Sequence, residues 1–165
     1  MELCLVRHAI AIDRGTPGFE NDDLRPLTPD GAKRFKQAAR GLSLLVTPQV
    51  ILTSPLVRAR QTAEILMEVY RLPNLHFCDA LASGDHAALL RDVAEVEAQS
   101  VLVVGHEPHI SGLLSYLLAD NESRIRATFK KGAAALVSCV DEPGADACWL
   151  EWLLQPAALR RIAQS

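Results

Sequence analysis

Apolar residues follow two rhythms along this chain. Short unbroken runs, Leu3 to Val6, Val50 to Thr53 and Val101 to Gly105, read as strands. The first is a central strand, and the third is of the kind buried on both faces of a parallel sheet. Between the runs, apolar positions recur every three or four residues. Phe35, Ala38, Leu42 and Leu45 predict a helix over about residues 29–46, with Thr28 as N-cap and Pro29 at its first position. Ala59, Ala63, Leu66 and Tyr70 predict a second helix that Pro73 stops. Leu89, Leu90, Val93 and Val96 predict a third, and Ile110, Leu113, Leu114 and Leu117 a fourth. Two later strands, Ala134 to Val140 and Cys148 to Leu154, flank Asp141-Glu142-Pro143-Gly144, a turn signature for a hairpin or meander. A short polar helix, Ala157 to Ala163, closes the chain.

Strands alternating with helices imply an α/β fold of three layers, α/β/α, with a mostly parallel central sheet and helices on both faces. The 165 residues suit one core better than two, so residues 1–165 are expected to form a single domain. Residues 12–30 break the pattern. Gly15, Pro17, Gly18, Asn21, Asp22, Asp23, Pro26 and Pro29 make this a long loop, and long loops in compact domains are usually functional or disordered.

Charge narrows the possible partners. Seventeen Lys and Arg against twenty Asp and Glu give a formal net charge of −3, which argues against nucleic acid. A bound anion must then be held by a local cluster. The apolar stretch Leu113 to Ala119 falls far short of the roughly 20 residues that span a bilayer. Glu2, and Arg7 after only four apolar residues, do not suit a signal peptide. Cys4, Cys78, Cys139 and Cys148 form no CxxC pair and are expected to be reduced thiols of a cytoplasmic protein with no membrane contact.

Three strands end alike: at Arg7-His8, at Thr53-Ser54 with Arg58 one turn on, and at Gly105-His106. The carboxyl ends of parallel strands share one edge, where α/β folds bind ligands. Two histidines and two arginines would repel one another there unless a dianion sat between them, and phosphate is the natural one. Arg58 lies near a helix start, where the macrodipole disfavours a cation by roughly 0.3–1 kcal/mol. The free N–H groups of that helix start suit an oxyanion. The plainer reading is a solvated arginine, which fits Arg60 better. His106 and His109 beside Glu107 have i, i+3 spacing, but Pro108 intervenes and no HExxH or cysteine partner supports a metal. No metal and no cofactor are expected. His76 and His86 read as surface or loop residues, and Trp149 and Trp152 as packing residues on opposite faces of a strand. Lys130-Lys131 reads as a solvated pair whose basic edge would suit an acidic protein partner.

Leu5-Val6-Arg7-His8-Ala9, the run from Thr53 to Ala63, and Val103-Val104-Gly105-His106-Glu107-Pro108 together resemble the histidine phosphatase superfamily, over about residues 3–110. Short length and the segment Arg25-Pro26-Leu27-Thr28-Pro29-Asp30-Gly31 resemble its bacterial phosphohistidine phosphatases of the SixA type. The resemblance implies that His8 is the nucleophile, and that Arg7, Arg58 and a protonated His106 bind the phosphoryl oxygens, with Ser54 as a further substrate contact. The chain departs from the wider family in two places. Ala9-Ile10-Ala11-Ile12 replaces glycine and small polar residues after the histidine. The segment from Cys78 to His86 lacks the glutamate that protonates ester leaving groups. Asp79 or Asp85 would have to serve instead, although an aspartate before a helix is more often its N-cap. The implied activity is metal-independent removal of phosphate from phosphohistidine on a signalling protein, such as a histidine phosphotransfer domain, by a monomer. The alternatives are a small-molecule phosphomonoesterase or mutase relative, and a phosphate-binding module with little catalysis.

Overall fold

The structure is a computed structural model that describes residues 1–165. Its strands are β1 (Glu2–Arg7), β2 (Val50–Thr53), β3 (His76–Phe77), β4 (Ser100–Gly105), β5 (Ala134–Cys139) and β6 (Cys148–Leu154). Its helices are α1 (Pro29–Leu42), α2 (Val57–Tyr70), α3 (Ala80–Ser83), α4 (His86–Glu95), α5 (His109–Ala119) and α6 (Pro156–Ile162). One sheet runs in the order β3-β2-β4-β1-β5-β6. The β3, β2, β4 and β1 strands are parallel, whereas β5 runs antiparallel to β1 and forms the expected hairpin with β6.

Alternation along the strands divides the core in two. Leu3 and Leu5 of β1, with Val101 and Val103 of β4, face α4 and α5 through Leu89, Val93, Leu113 and Leu117. Cys4, Val6, Leu102 and Val104 face α1, α2 and α6 through Phe35, Leu42, Ala63, Leu66 and Leu159. A strand covered on both faces has no polar side to show, which is why these runs are unbroken. Helices therefore lie on both faces, as expected.

Differences from the sequence reading have local causes. The first helix ends at Leu42, not near residue 46. Ser43 caps it, and the apolar rhythm that continues to Leu45 places that residue in a partly exposed turn. The third helix starts earlier, at His86, because Asp85 accepts the Ala88 N–H at 2.9 Å as its N-cap. The stretch before it holds β3 and α3. Trp149 and Trp152 share a face. A bulge shifts the register so that Leu136 pairs with Trp152 while Ser138 pairs with Trp149, and the extra residue cancels the alternation. Trp152 packs on the α1 side, whereas Trp149 is largely exposed.

The four cysteines are not all thiols. Cys139 and Cys148 oppose each other across the β5–β6 hairpin, with Cα atoms 4.3 Å apart, and form a disulfide. Only Cys4 and Cys78 are free, both buried. The hairpin turn brings together two positions whose spacing in sequence resembles no motif, and cysteine usage no longer argues for a reducing compartment. No helix is long and apolar enough to cross a membrane.

The closing helix is less polar than its sequence suggests, because buried Leu159 seats it on α1 at Gly41. A Cβ at Gly41 would lie 1.8 Å from the Leu159 carbonyl oxygen and 2.8 Å from its carbon. Both contacts are with backbone, so no side-chain rotation relieves them. Gly41→Ala is expected to cost about 1–3 kcal/mol in urea unfolding, as overpacked sites do. An unchanged urea midpoint would show that α1 and α6 do not pack this closely.

Candidate active site

The β2, β4 and β1 strands are neighbours, and their carboxyl ends place Ser54, His106 and His8 side by side. The His8 N–H extends the ladder by donating to the Gly105 carbonyl at 3.0 Å, and the Ser54 N–H donates to the Val104 carbonyl at 3.1 Å. From the other side, the Gly132 N–H donates to the Arg7 and His8 carbonyls. The His8 and His106 rings lie 5.1 Å apart between centroids. The structure thus brings together the four residues Arg7, His8, Arg58 and His106.

The tautomer of His8 is set by one bond. Its Nδ1 lies 2.7 Å from the Ala9 carbonyl oxygen. A carbonyl only accepts, so Nδ1 carries the hydrogen and the lone pair resides on Nε2. Burial, then the neighbouring His106, Arg58 and Arg7, push the His8 pKa down to about 3, against the carbonyl bond that favours its proton. The ring is neutral at ordinary pH, as a nitrogen nucleophile requires.

His106 is also neutral here. Burial and then the cations Arg58 and Arg7, with His109 between them in effect, lower its pKa to about 3, while Asp22 opposes them. A protonated His106 therefore needs a bound anion to supply the opposing charge. Ser54 does not line the recess. It is fully buried and shares a 2.8 Å hydrogen bond with His106 Nε2, while the Leu56 N–H donates to its hydroxyl at 3.3 Å. Its place is behind His106 rather than against a ligand.

The loop between β1 and α1 supplies the carboxylate that pairs with Arg58. Asp22 accepts Arg25 Nε at 2.8 Å and Arg14 Nε at 2.9 Å, and pairs with Arg58 Nη2 at 3.1 Å. Its backbone carbonyl accepts Arg58 Nη1 at 2.8 Å. Hydrogen bonds from Arg25 and Arg14, with the Arg58 charge, hold the Asp22 carboxyl far below the usual carboxylate range. Arg58 is anything but solvated: it is 5% exposed. Thr62 ties its helix to the nucleophile loop, accepting the Ala9 N–H at 3.0 Å and donating to the Arg58 carbonyl at 2.7 Å. On the far side Arg7 Nη1 donates to the Phe129 carbonyl at 2.5 Å.

These groups enclose a recess of about 200 Å³ with no hydrophobic lining. Arg7, Arg14, Arg25, Arg58 and Lys131 line it with His8, His106, Asp13 and Glu107. Arg7 Nε, Arg58 Nε and His106 Nδ1 are buried with no protein partner. Donors outnumber acceptors, which suits a small oxyanion. Arg14, Arg25, Asp13, Asp22 and Glu107 escaped the sequence reading as site residues, and only the density of turn residues between 12 and 30 hinted at the loop's role. Asp79 and Asp85 are not in the recess, and Asp85 is spent on its cap. Glu107 is in the recess, with its carboxylate accepting the Ser111 hydroxyl at 2.6 Å. His86 is neither loop nor surface: buried at the start of α4, it donates from Nε2 to the His109 carbonyl and meets Glu122 at 3.2 Å.

The family model of the histidine phosphatase superfamily (branch 1) matches residues 3–82. An uncharacterized protein of Picosynechococcus sp. is 41% identical over 115 residues, which make up 67% of this chain and 68% of that one. The solved structure of the protein histidine phosphatase SixA complexed with tungstate superposes with a TM-score of 0.77 at 24% identity, over 96% of this chain and 99% of the other. A candidate phosphohistidine phosphatase SixA of Nakamurella multipartitia is 28% identical, with a TM-score of 0.74 over 95% and 96% of the two chains. Fold, motifs and site define a phosphatase of the hydrolase class, and the chain belongs to the histidine phosphatase superfamily. Within it, the chain is similar to the SixA phosphohistidine phosphatases.

The depressed histidines make stability depend on pH with a definite sign. Below the unfolded value of 6.5 the unfolded chain binds protons that buried His8 and His106 refuse down to about 3, so stability falls as pH falls through that window. The limiting slope is about 1.4 kcal/mol per pH unit for each histidine. Asp22, held below its ordinary value of 3.8, keeps its contribution until the pH falls further. Urea unfolding between pH 6.5 and 4.5 should therefore show a steeper loss in the wild type than in a His8→Asn, His106→Asn double variant. Equal slopes would show that the two imidazoles titrate freely in the folded chain.

Proposed function

We propose that this chain is a metal-independent phosphatase that hydrolyses phosphohistidine on a protein through a covalent phosphoryl intermediate on His8. The carrying observation is the neutral His8 ring, its Nδ1 hydrogen committed to Ala9 and its Nε2 lone pair free, set among Arg7, Arg58 and His106. In the first step the substrate imidazole carries a proton from solvent on its unphosphorylated ring nitrogen, His8 Nε2 attacks phosphorus in line, the bond from phosphorus to that ring breaks, and neutral imidazole leaves with the bonding pair. Arg7 and Arg58 bind the equatorial oxygens as charge spreads over them, the larger part of phosphoryl-transfer catalysis. His106 becomes protonated beside the dianion and adds a third donor, held in orientation by Ser54. In the second step water attacks the phosphorus, the electron pair of the broken P–N bond returns to His8 Nε2, and the proton lost by water passes to solvent. The tungstate bound by the SixA structure is a tetrahedral oxyanion of the kind this recess suits. A histidine phosphotransfer domain, met by a monomer in the cytoplasm, is the partner we infer.

His8→Ala is expected to fold and to lose essentially all turnover, and the wild type given a labelled phosphodonor should carry acid-labile phosphate on His8. A variant that keeps more than a few per cent of the rate would remove His8 as nucleophile. A chelator should leave the rate unchanged. Loss restored by a divalent cation would overturn the metal-free mechanism.

Selectivity follows from the leaving group. Expelling an alkoxide needs a positioned acid, worth about 10²- to 10⁴-fold, whereas an imidazole ring, with a reference pKa near 6.5, takes a proton from water on its other nitrogen and leaves as a neutral group without one. Of the two carboxylates that line the recess, Asp13 is exposed, and Glu107 is partly exposed and bonded to Ser111. Phosphohistidine should be hydrolysed well, p-nitrophenyl phosphate less well and alkyl phosphates poorly. Glu107→Gln should change the phosphohistidine rate by no more than about twofold, since solvent rather than an enzyme carboxyl protonates the substrate ring. Alkyl phosphates matching phosphohistidine in kcat/KM would identify a phosphomonoesterase instead.

A further inference from the structure

Next to the recess lies a second depression of about 210 Å³, between α1, residues 130–131 and the start of α6. Four cations line it, Arg34, Lys130, Lys131 and Arg160, and no carboxylate does. Lys130, Lys131 and Arg160 form no ion pair, and Arg34 has only Asp30 at 3.6 Å, an exposed pair of little strength. In a chain of net charge −3 this is a concentrated basic patch.

The patch is joined to the nucleophile. Lys131 lines both hollows, and Ala9 and Ile10, which follow His8 directly, form part of the groove's wall. The groove's backbone is fixed. Gln155 Nε2 donates to the Thr128 carbonyl at 2.7 Å, and its Oε1 accepts the Lys130 N–H at 3.1 Å. The floor is apolar, made by Phe35 and Pro156. Long cationic side chains around an apolar floor, with no buried polar side chain aimed inward, do not concentrate donors on one small anion. They suit a stretch of polypeptide whose carboxylates spread along the rim, with charge steering its approach.

We propose that this groove docks acidic residues flanking the phosphorylated side chain of the substrate protein, so that substrate choice is set by Arg34, Lys130, Lys131 and Arg160 as well as by the recess. The inference rests on the phosphohistidine reading, and two separate assays keep their failures apart.

The first assay needs no phosphate. A fluorescein-labelled peptide rich in Asp and Glu, and its Asn and Gln counterpart, are titrated against the wild type and against an Arg34→Gln, Lys130→Gln, Arg160→Gln triple variant. Lys131, which lines the recess, is left in place. The acidic peptide should bind more tightly than the neutral one, weaken with salt, and lose about tenfold in affinity in the triple variant, as several exposed ion pairs together allow. Equal binding of the two peptides, or an unchanged triple variant, overturns the groove. Stronger displacement of the peptide by a soluble bisphosphate or an oligonucleotide than by a second acidic peptide overturns the polypeptide occupant.

The second assay compares kcat/KM on phosphohistidine peptides with acidic or neutral flanks, and on free phosphohistidine. The triple variant should lose about tenfold on the acidic peptide through KM, while free phosphohistidine is unchanged. A uniform loss on all substrates means the variant has disturbed the recess and overturns a separate docking role. If no phosphohistidine substrate turns over but phosphate esters do, the phosphohistidine reading fails while the peptide titration still decides the groove.

Discussion

Holding several guanidinium groups against two neutral imidazoles at one sheet edge is the constraint on which the rest of this structure depends. Like charges in a partly desolvated recess repel strongly, and removing a cation from water adds its own cost. Asp22 is the answer on the protein side. One carboxylate reaches Arg14, Arg25 and Arg58, and its backbone carbonyl takes a further Arg58 donor. The loop before α1 is long because it must leave the sheet edge, deliver that carboxylate over α2 and return to Thr28. It is pinned on the way, by Arg25 Nη1 bonding to the Ile12 carbonyl and by Gln61 accepting the Leu27 N–H at 2.7 Å. Charge balance therefore explains an irregular segment that propensity alone would leave as an unexplained excursion.

The sheet and its edge were legible because their signals are local or periodic. The Leu3 to Val6, Val50 to Thr53 and Val101 to Gly105 runs carry their burial in composition, and topology then forces Arg7-His8, Ser54 and His106 together. What escaped the reading depends on contacts between positions distant in sequence. Asp22 lies 36 residues from Arg58, and an aspartate among turn formers looks like turn chemistry rather than a counter-ion. Ser54 was legible as a strand-end residue, but only the structure shows its hydroxyl turned to His106 instead of outward. Burial decided the charge of His106, and burial of a histidine at a strand end has no sequence signature. His86 escaped for the same reason: its partners Glu122 and His109 come from across α5.

Two features of the C-terminal part arise within the β5–β6 hairpin. A single bulge in the β5–β6 pairing brings Trp149 and Trp152 onto one face, and the turn after β5 sets Cys139 against Cys148. Period-two reasoning assigns faces correctly only while the register is unbroken, and one inserted residue reverses every assignment beyond it. Cysteine spacing has the same weakness. A separation of nine residues carries no motif, yet a hairpin makes it a direct contact.

Net charge was a poor guide to the field this molecule presents. The formal value of −3 conceals a separation along the strands. At the carboxyl edge the recess and the adjoining groove gather Arg7, Arg14, Arg25, Arg58, Lys131 and Arg160. At the amino edge, around Met1 and Gln99, a hollow is lined by Glu97, Asp141 and Glu142 with no cation beside them except the amino terminus. That terminal ammonium is itself turned to the Cys139 carbonyl at 2.8 Å. An anionic ligand is thus repelled from one end of the sheet and drawn to the other, where enclosure weakens screening by salt. The acidic excess that argues against a broad nucleic-acid footprint helps to orient a phosphorylated ligand toward the only edge that holds the histidines.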